Sequence, residues 1–323
     1  MKPNLFNYAT SELSQDAFLL WLLEWADPSN SEYDPELHLT AKVFLRRIID
    51  VDEPFDIKSV ACRKQQYHID VLAIVNDKIA VIIEDKINTQ EHGNQIARYR
   101  QQLETALGSQ YDIKCIYLKT GNECLTKLRK NADSGNFKIF MRQDLLRILE
   151  KSNSDNIILR DFLSRIKLIE VCTNQYKSKP YHEWMHNGVA WQGFYSWLEN
   201  NLNDYLEWRY VSNPNGGFWG CYWYWKWCSA FNFSIYLQIE QTRICFKANN
   251  WPNNDCIKRC REKIISFASE NNLRIEKSRY HKGEYATICF VDTSYLFSKD
   301  MFEENEIRAK INNLKKIIDS IAD

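Results

Sequence analysis

The stretch from Tyr67 to Ile87, YHIDVLAIVNDKIAVIIEDKI, sets two apolar runs either side of a polar Asn76-Asp77-Lys78 turn and finishes in three charges, Glu84-Asp85-Lys86. Runs this apolar are the pattern of strands covered on both faces, and the turn is hairpin chemistry. Side chains alternate along a strand, so Glu84 and Lys86 share one face and Asp85 takes the other. A three-residue loop over 76–78 pairs Val75 with Ile79 and Asp70 with Glu84. Asp70, Glu84 and Lys86 then converge at one end of the hairpin. A two-residue loop would pair Asp70 with Ile83 and separate the carboxylates, so the convergence depends on the loop.

Carboxylates gathered at the end of a buried strand are costly unless a cation compensates them. Mg²⁺ prefers hard oxygens, one or two carboxylates completed by water and substrate phosphate. A water bound to such an ion is acidified and serves as a nucleophile. Asp70 and Glu84 are therefore candidate ligands, with the backbone carbonyl of Asp85 available on the same strand. Lys86 is placed to orient the water or hold a scissile phosphate. The set suits phosphodiester hydrolysis.

The flanking pattern reads as an α/β core with a mixed central sheet flanked by helices. SELSQDAFLLWLLEWA puts Phe18, Leu19, Leu22, Leu23 and Trp25 on a broad apolar face, capped by Ser11 or Ser14 and ended by Asp27-Pro28. DPELHLTAKVFLRRIID predicts a second helix with Pro35 in its first turn. Strands are expected at about 56–65, 67–75 and 79–86, then a helix over 90–107 and a strand over 112–120. A strand running into a helix (FKIFMRQDLLRILEK) and a further helix (NIILRDFLSRIKLIEV) follow. Gln95 and Tyr99 are four apart and share a helix face.

Asp70, thirteen residues and then Glu84-Asp85-Lys86 resemble the PD-(D/E)XK nuclease superfamily, over about residues 5–150. QIARY, with Gln95 and Tyr99, looks like the Gln-x-x-x-Tyr element of its RecB-like members. SELSQDAFLLWLL looks like the opening helix of the PDDEXK-like subfamily. Ile69 stands where the named motif has proline. The resemblance implies a restriction-endonuclease-like core, a Mg²⁺- or Mn²⁺-dependent nuclease acting on DNA, and a place in bacterial defence. It implies Asp70, Glu84 and Lys86 as catalytic residues, Gln95 and Tyr99 as substrate-positioning residues, and Glu12, with Asp16 in reserve, as an acid reaching the metal. A nuclease-fold binding module without activity is the first alternative.

With 42 basic and 42 acidic residues the chain has no global field for polyanions, so nucleic acid must meet a local basic patch, or a protein partner or second copy must supply one. Arg63, Lys64, Arg98, Arg100, Lys127, Arg129 and Lys130 are candidates. No Gly-x-Gly-x-x-Gly or Walker loop is present among only ten glycines, which sets aside dinucleotide and nucleoside triphosphate folds. None of the ten cysteines has Cys-x-x-Cys spacing, and Cys256 and Cys260 lack a second ligand pair. The start MKPNLFNYATSELSQ has no apolar core and no stretch approaches membrane-span length, so a reducing cytoplasm and no membrane are expected.

The domains are expected at 1–175 and 180–323, joined by a linker over 173–183, the second an aromatic-rich α+β domain. HEWMH, residues 182–186, matches a zinc-peptidase pattern in which His182 and His186 bind metal and Glu183 is general base. Lys179, Pro180 and Gly188 crowd it, which favours a chance match. In FWGCYWYWKW, alternation puts Trp219, Trp223, Trp225 and Trp227 on one face and Phe218, Tyr222 and Tyr224 on the other. Such a strand is buried on both sides or offers a stacking platform for bases or a partner surface. The C-terminal helix spaces Ile307, Ile311, Leu314 and Ile318 three and four apart.

Overall fold

A computed structural model describes residues 2–52, 54–89, 94–214, 216–271 and 273–322. The chain falls into two compact units, residues 1–123 with 128–171, and residues 124–127 with 172–323.

The first unit opens with α1 (Glu12–Glu24), whose cap is Ser11, its hydroxyl oxygen accepting from Ser14 N at 3.3 Å. Helix α2 (Pro35–Ile49) begins with Pro35 behind the Asp34 cap, which accepts from Leu37 N at 2.9 Å, and ends on left-handed Asp50. The hairpin strands are β1 (Val60–Lys64), β2 (Val71–Val75) and β3 (Ile79–Lys86), shorter than expected at β1 and β2. Helix α3 (Gln95–Leu107) follows; the expected stretch 90–93 lies outside the described residues. Next come β4 (Asp112–Lys119), α4 (Leu125–Gly135), β5 (Lys138–Met141), α5 (Arg142–Leu149) and α6 (Ile157–Thr173). The sheet order is β1-β2-β3-β4-β5, antiparallel up to β3 and parallel beyond it, a mixed sheet flanked by helices.

The β2–β3 register pairs Val75 with Ile79 and Val71 with Ile83, so Asp70, one residue before β2, falls opposite Glu84. Val71, Ala73, Val75, Val81 and Ile83 join the apolar cluster of α1, α2, α5 and α6. Alternation therefore sends Asp85 toward α1 and Glu84 to the other face, where α3 contacts β3. Each fully buried Ile along β3 contributes about 1.5–3 kcal/mol, and that apolar stem offsets the desolvation of the charged strand end.

The second unit contains α7 (Gln175–Ser178), α8 (Tyr181–Trp184), α9 (Gly188–Asn201), β6 (Leu206–Val211), β7 (Phe218–Cys228), β8 (Phe233–Ile239), β9 (Arg243–Ala248), α10 (Asn254–Glu270), β10 (Glu276–Lys277), β11 (Ala286–Asp292) and α11 (Glu304–Ala322). The stretch read as a linker is helical, with Tyr176 and Tyr181 buried. Its antiparallel sheet runs β10-β11-β9-β8-β7-β6, and residues of α9, α10 and α11 share one core with Trp223, Ile235, Leu237 and Phe246.

Candidate active site

The C-terminal end of β3 carries a cation ringed by oxygens. Lys86 Nζ contacts a Glu84 carboxylate oxygen, lies 3.5 Å from Asp70 Oδ2, and donates to the Asp85 carbonyl at 3.1 Å. Asp85 N also donates to Asp70 Oδ2, at 3.2 Å, which fixes Asp70 against β3. Glu84 is fully buried and Lys86 nearly so, while the Asp70 side chain keeps 26% of its surface exposed. The cluster therefore opens to solvent on the Asp70 side. Burial works to lower the Lys86 pKa, but the Glu84 contact and the charges of Asp70 and Glu12 hold it above the usual lysine value.

The oxygens around that ammonium are those read as metal ligands: two carboxylates and one carbonyl. Hard oxygens converging on a positive charge fit a divalent cation whose shell is completed by water and phosphate. Among the described residues no three His, Cys, Asp or Glu side chains form a group that could hold a metal ion by themselves.

Glu12 reaches the same strand end but is bound there, accepting from Ile87 N at 3.0 Å and Thr89 Oγ1 at 2.6 Å. Burial pushes its carboxyl up, yet those two bonds and nearby Lys86 bring it below the usual carboxylate range. Asp16, the reserve, lies on the other face. Its carboxyl hydrogen-bonds that of Asp85, and Asp85 Oδ1 accepts from Gln15 Nε2 at 2.5 Å. Burial and the charge of Asp70 raise Asp16 to about 6, and burial pushes Asp85 well up. Asp16 Oδ1 and Asp85 Oδ2 are buried with no other donor among the described residues, so one proton shared between the carboxyls satisfies both.

Behind this pair, Gln15 Oε1 accepts from Thr120 Oγ1 at 2.7 Å, and the buried Arg142 donates to the Thr120 carbonyl and pairs with Glu170 at 2.8 Å. None of Gln15, Thr120 or Arg142 was singled out in the sequence, because only the fold shows that they meet.

Gln95 Nε2 donates to Tyr99 Oη at 2.7 Å, so the two do share a face. Burial, with Glu84 and Asp70 nearby, raises the Tyr99 hydroxyl pKa. The pair thus stands in the field of the acidic cluster. A further lysine escaped the sequence reading. Lys119 ends β4 directly beside Lys86 in the parallel register, is almost fully buried, ion-pairs with Glu123 at 3.3 Å and donates to the Thr89 carbonyl. Its signal was a lysine closing an apolar strand, the same pattern that marked Lys86.

Of the candidate phosphate-tracking residues, Arg100 is turned to backbone, donating to the Ile113 and Asn136 carbonyls. Arg63 donates to Gln66, and Arg98 and Lys64 are exposed. The zinc-peptidase pattern does not assemble. Helix α8 is a single turn ending before His186, His182 Nδ1 is bound to Asp300, and Trp184 is buried between them. Neither His182 and His186 nor Cys256 and Cys260 belong to a metal-binding group among the described residues.

A five-stranded mixed sheet, flanked by helices and carrying Asp70, Glu84 and Lys86 at the end of its central hairpin, defines a restriction-endonuclease-like core. The chain belongs to the PD-(D/E)XK nuclease superfamily, whose family model matches residues 3–178, just over half its length. No curated protein and no solved structure matches it significantly. No helix among the described residues is long and apolar enough to cross a membrane.

Proposed function

We propose that this protein is a divalent-metal-dependent nuclease that hydrolyses phosphodiester bonds of DNA, in a bacterial defence role. The observation that carries the reading is the ring of Asp70, Glu84 and Asp85 carbonyl oxygens around a single positive charge at the end of β3. Asp70, Glu84 and the Asp85 carbonyl would hold Mg²⁺ or Mn²⁺, which when bound supplies Lewis acidity toward the phosphate and an acidified water. Lys86 moves from its carboxylate partners to the substrate, where its ammonium compensates charge developing on the phosphoryl oxygens. Glu12 holds the strand exit through Ile87 N and Thr89, fixing the backbone on which Lys86 stands. Gln95 and Tyr99 offer an amide and a hydroxyl to the nucleic acid beside the cluster.

The test is cleavage of single- and double-stranded DNA and RNA, with Mg²⁺, Mn²⁺ or chelator, by wild type and Lys86→Ala. Metal-dependent cutting of DNA that falls at least about a hundredfold in the variant is expected. Wild type inert on every substrate, or a variant cutting as fast as wild type, overturns the reading. Loss of the metal requirement would overturn its metal-dependent part.

A further inference from the structure

The aromatic strand β7 does not keep its alternation. A bulge between Trp223 and Lys226, with Tyr224 in the left-handed region at φ 61°, turns the strand over. Trp223 enters the helix-covered core with Trp208, whereas Trp225 lies on the opposite face, stacked on Tyr236 with ring centroids 5.3 Å apart and planes at 18°. Trp227 pairs with Ser234, two residues from Tyr236, and so shares that face. The expected single face of Trp219, Trp223, Trp225 and Trp227 is thus divided by the bulge. Bulges re-aim side chains at a cost in pairing, and here the re-aimed rings are left 40% and 54% exposed.

The same end of the sheet gathers more rings and a run of cations. Asn249, at the exit of β9, is bonded to Ser234 through both backbone and side chain. Trp251, 67% exposed, lies two residues on and donates from its backbone N–H to the Glu284 carbonyl. Exposed Tyr285 then leads into β11, whose Ala286 pairs with Ala248 of β9. The stretch that includes β10 and the loop to β11, residues 274–285, carries Arg274, Lys277, Arg279 and Lys282 against two acids, Glu276 and Glu284. All four cations are exposed, and none forms an ion pair among the described residues. On the same sheet face Arg209 lies over the Tyr222 ring, 5.8 Å from its centroid.

We infer that this end of the second unit's sheet, with the exposed indoles of Trp225, Trp227 and Trp251 and the loop cations Arg279 and Lys282, binds single-stranded nucleic acid by stacking bases on the exposed indoles while the loop cations track phosphates. Exposed flat rings accept any base, because every base has a π-face, and unpaired cations supply the backbone attraction. Duplex bases are stacked on each other and cannot lie on such rings without being unpaired. The charge match favours a polyanion in a chain whose overall charge is zero. The ligand class rests on the nuclease reading above; the site is separate from the catalytic cluster and needs no cleavage to act.

The experiment is equilibrium anisotropy with a labelled single-stranded DNA of about 20 nucleotides, in the Lys86→Ala full-length chain with chelator, so that no cutting intrudes. The parent is compared with Trp225→Ala/Trp227→Ala and with Arg279→Gln/Lys282→Gln, each checked for an unchanged circular dichroism spectrum. Each stacked base is worth roughly five- to 150-fold, so the tryptophan pair should weaken binding by at least about tenfold. The loop pair should weaken it and flatten the dependence of log affinity on log salt by about 1.4. A matched duplex should bind the parent more weakly than the single strand. Failure of the parent to bind single strands, or equal affinity and salt slope in parent and both variants, overturns the inference. An inert wild type in the cleavage assay, with single-strand binding that the platform variants lose, overturns the nuclease reading and leaves this site standing.

Discussion

Lys86 is held by its neighbours before any substrate arrives, and that has a stability consequence. Its ammonium is the compensating charge for a fully buried Glu84. Removing one partner of a buried pair costs about 3–5 kcal/mol, because the other is left charged in a poor solvent. Lys86→Ala should therefore lower the urea midpoint of the first unit, and Mg²⁺ should restore more stability to the variant than it adds to wild type. Equal midpoints with and without Mg²⁺ in the variant would show that the oxygens do not hold the ion. Asp16 gives a second residue-level outcome. Its folded pKa of about 6 lies above the ordinary carboxyl value, and Asp85 is shifted the same way. Between about pH 4 and pH 6 the folded chain keeps a proton that the unfolded chain has released. The contribution of the pair is thus fully present at low pH and is lost as pH rises through about 6. Asp16→Asn keeps a donor toward Asp85 and removes the titration. Denaturation at pH 5 and pH 8 should show the variant gaining on wild type at the higher pH, and a difference that does not change with pH would refute the shared proton.

The elements that were legible in the sequence are those whose burial is uniform along their length. The β2–β3 hairpin announced itself by apolar runs, and its three-residue turn set the register that puts Asp70 opposite Glu84. Helix α11 buries Ile307, Ile311, Leu314 and Ile318 as their spacing requires. Two helices were not legible: α4 is short and mostly polar, and α9 carries aromatic residues on several sides. The β7 bulge was invisible because alternation has no way to announce an interruption, and it sends Trp225 and Trp227 to the face opposite Trp223. Asp16 was read as a reserve acid for the metal because nothing local says that its partner is Asp85, far along the chain on β3. The same limit hid Gly121, which follows β4 and lets the chain pass the exit of β3. A Cβ placed there would stand 1.9 Å from the Ile87 carbonyl oxygen, so backbone rather than a pliant side chain blocks it. Ile87 N is also the group that Glu12 holds. Gly121→Ala should cost about 1–3 kcal/mol through forced backbone movement and reduce cleavage by displacing the strand end that carries Lys86. A variant with unchanged denaturation midpoint and turnover would show that the two strand exits are not in this close contact.

At the scale of the whole molecule, chemistry is confined to a few surfaces of an otherwise inert chain. Equal numbers of acids and bases leave no long-range pull on a polyanion, so on the proposed reading recognition is local, and the cations of the Arg274–Lys282 stretch, which form no ion pair among the described residues, are the place inferred for it. The cysteines follow the same pattern of withdrawal. All ten are free, and Cys62, Cys172 and Cys256 alone among them are half-buried. Thiolate is the reactive form, and burial disfavours it. Burial pushes Cys62, Cys124 and Cys260 to about 12 and Cys115 to about 11, and moves Cys221 and Cys289 well upward. Cys62, Cys172 and Cys256 are the thiols that burial leaves partly accessible to reagent. Titration of the native chain with an aromatic disulfide at pH 8 should release about three equivalents at most before denaturant, with the remainder of the ten appearing only after it is added. Reductant should leave the melting temperature unchanged, since no crosslink constrains the fold. Rapid release of five or more equivalents from native protein would mean that these cores open on the timescale of the reaction, and would undercut the rigid β3 and β4 ends on which the site depends.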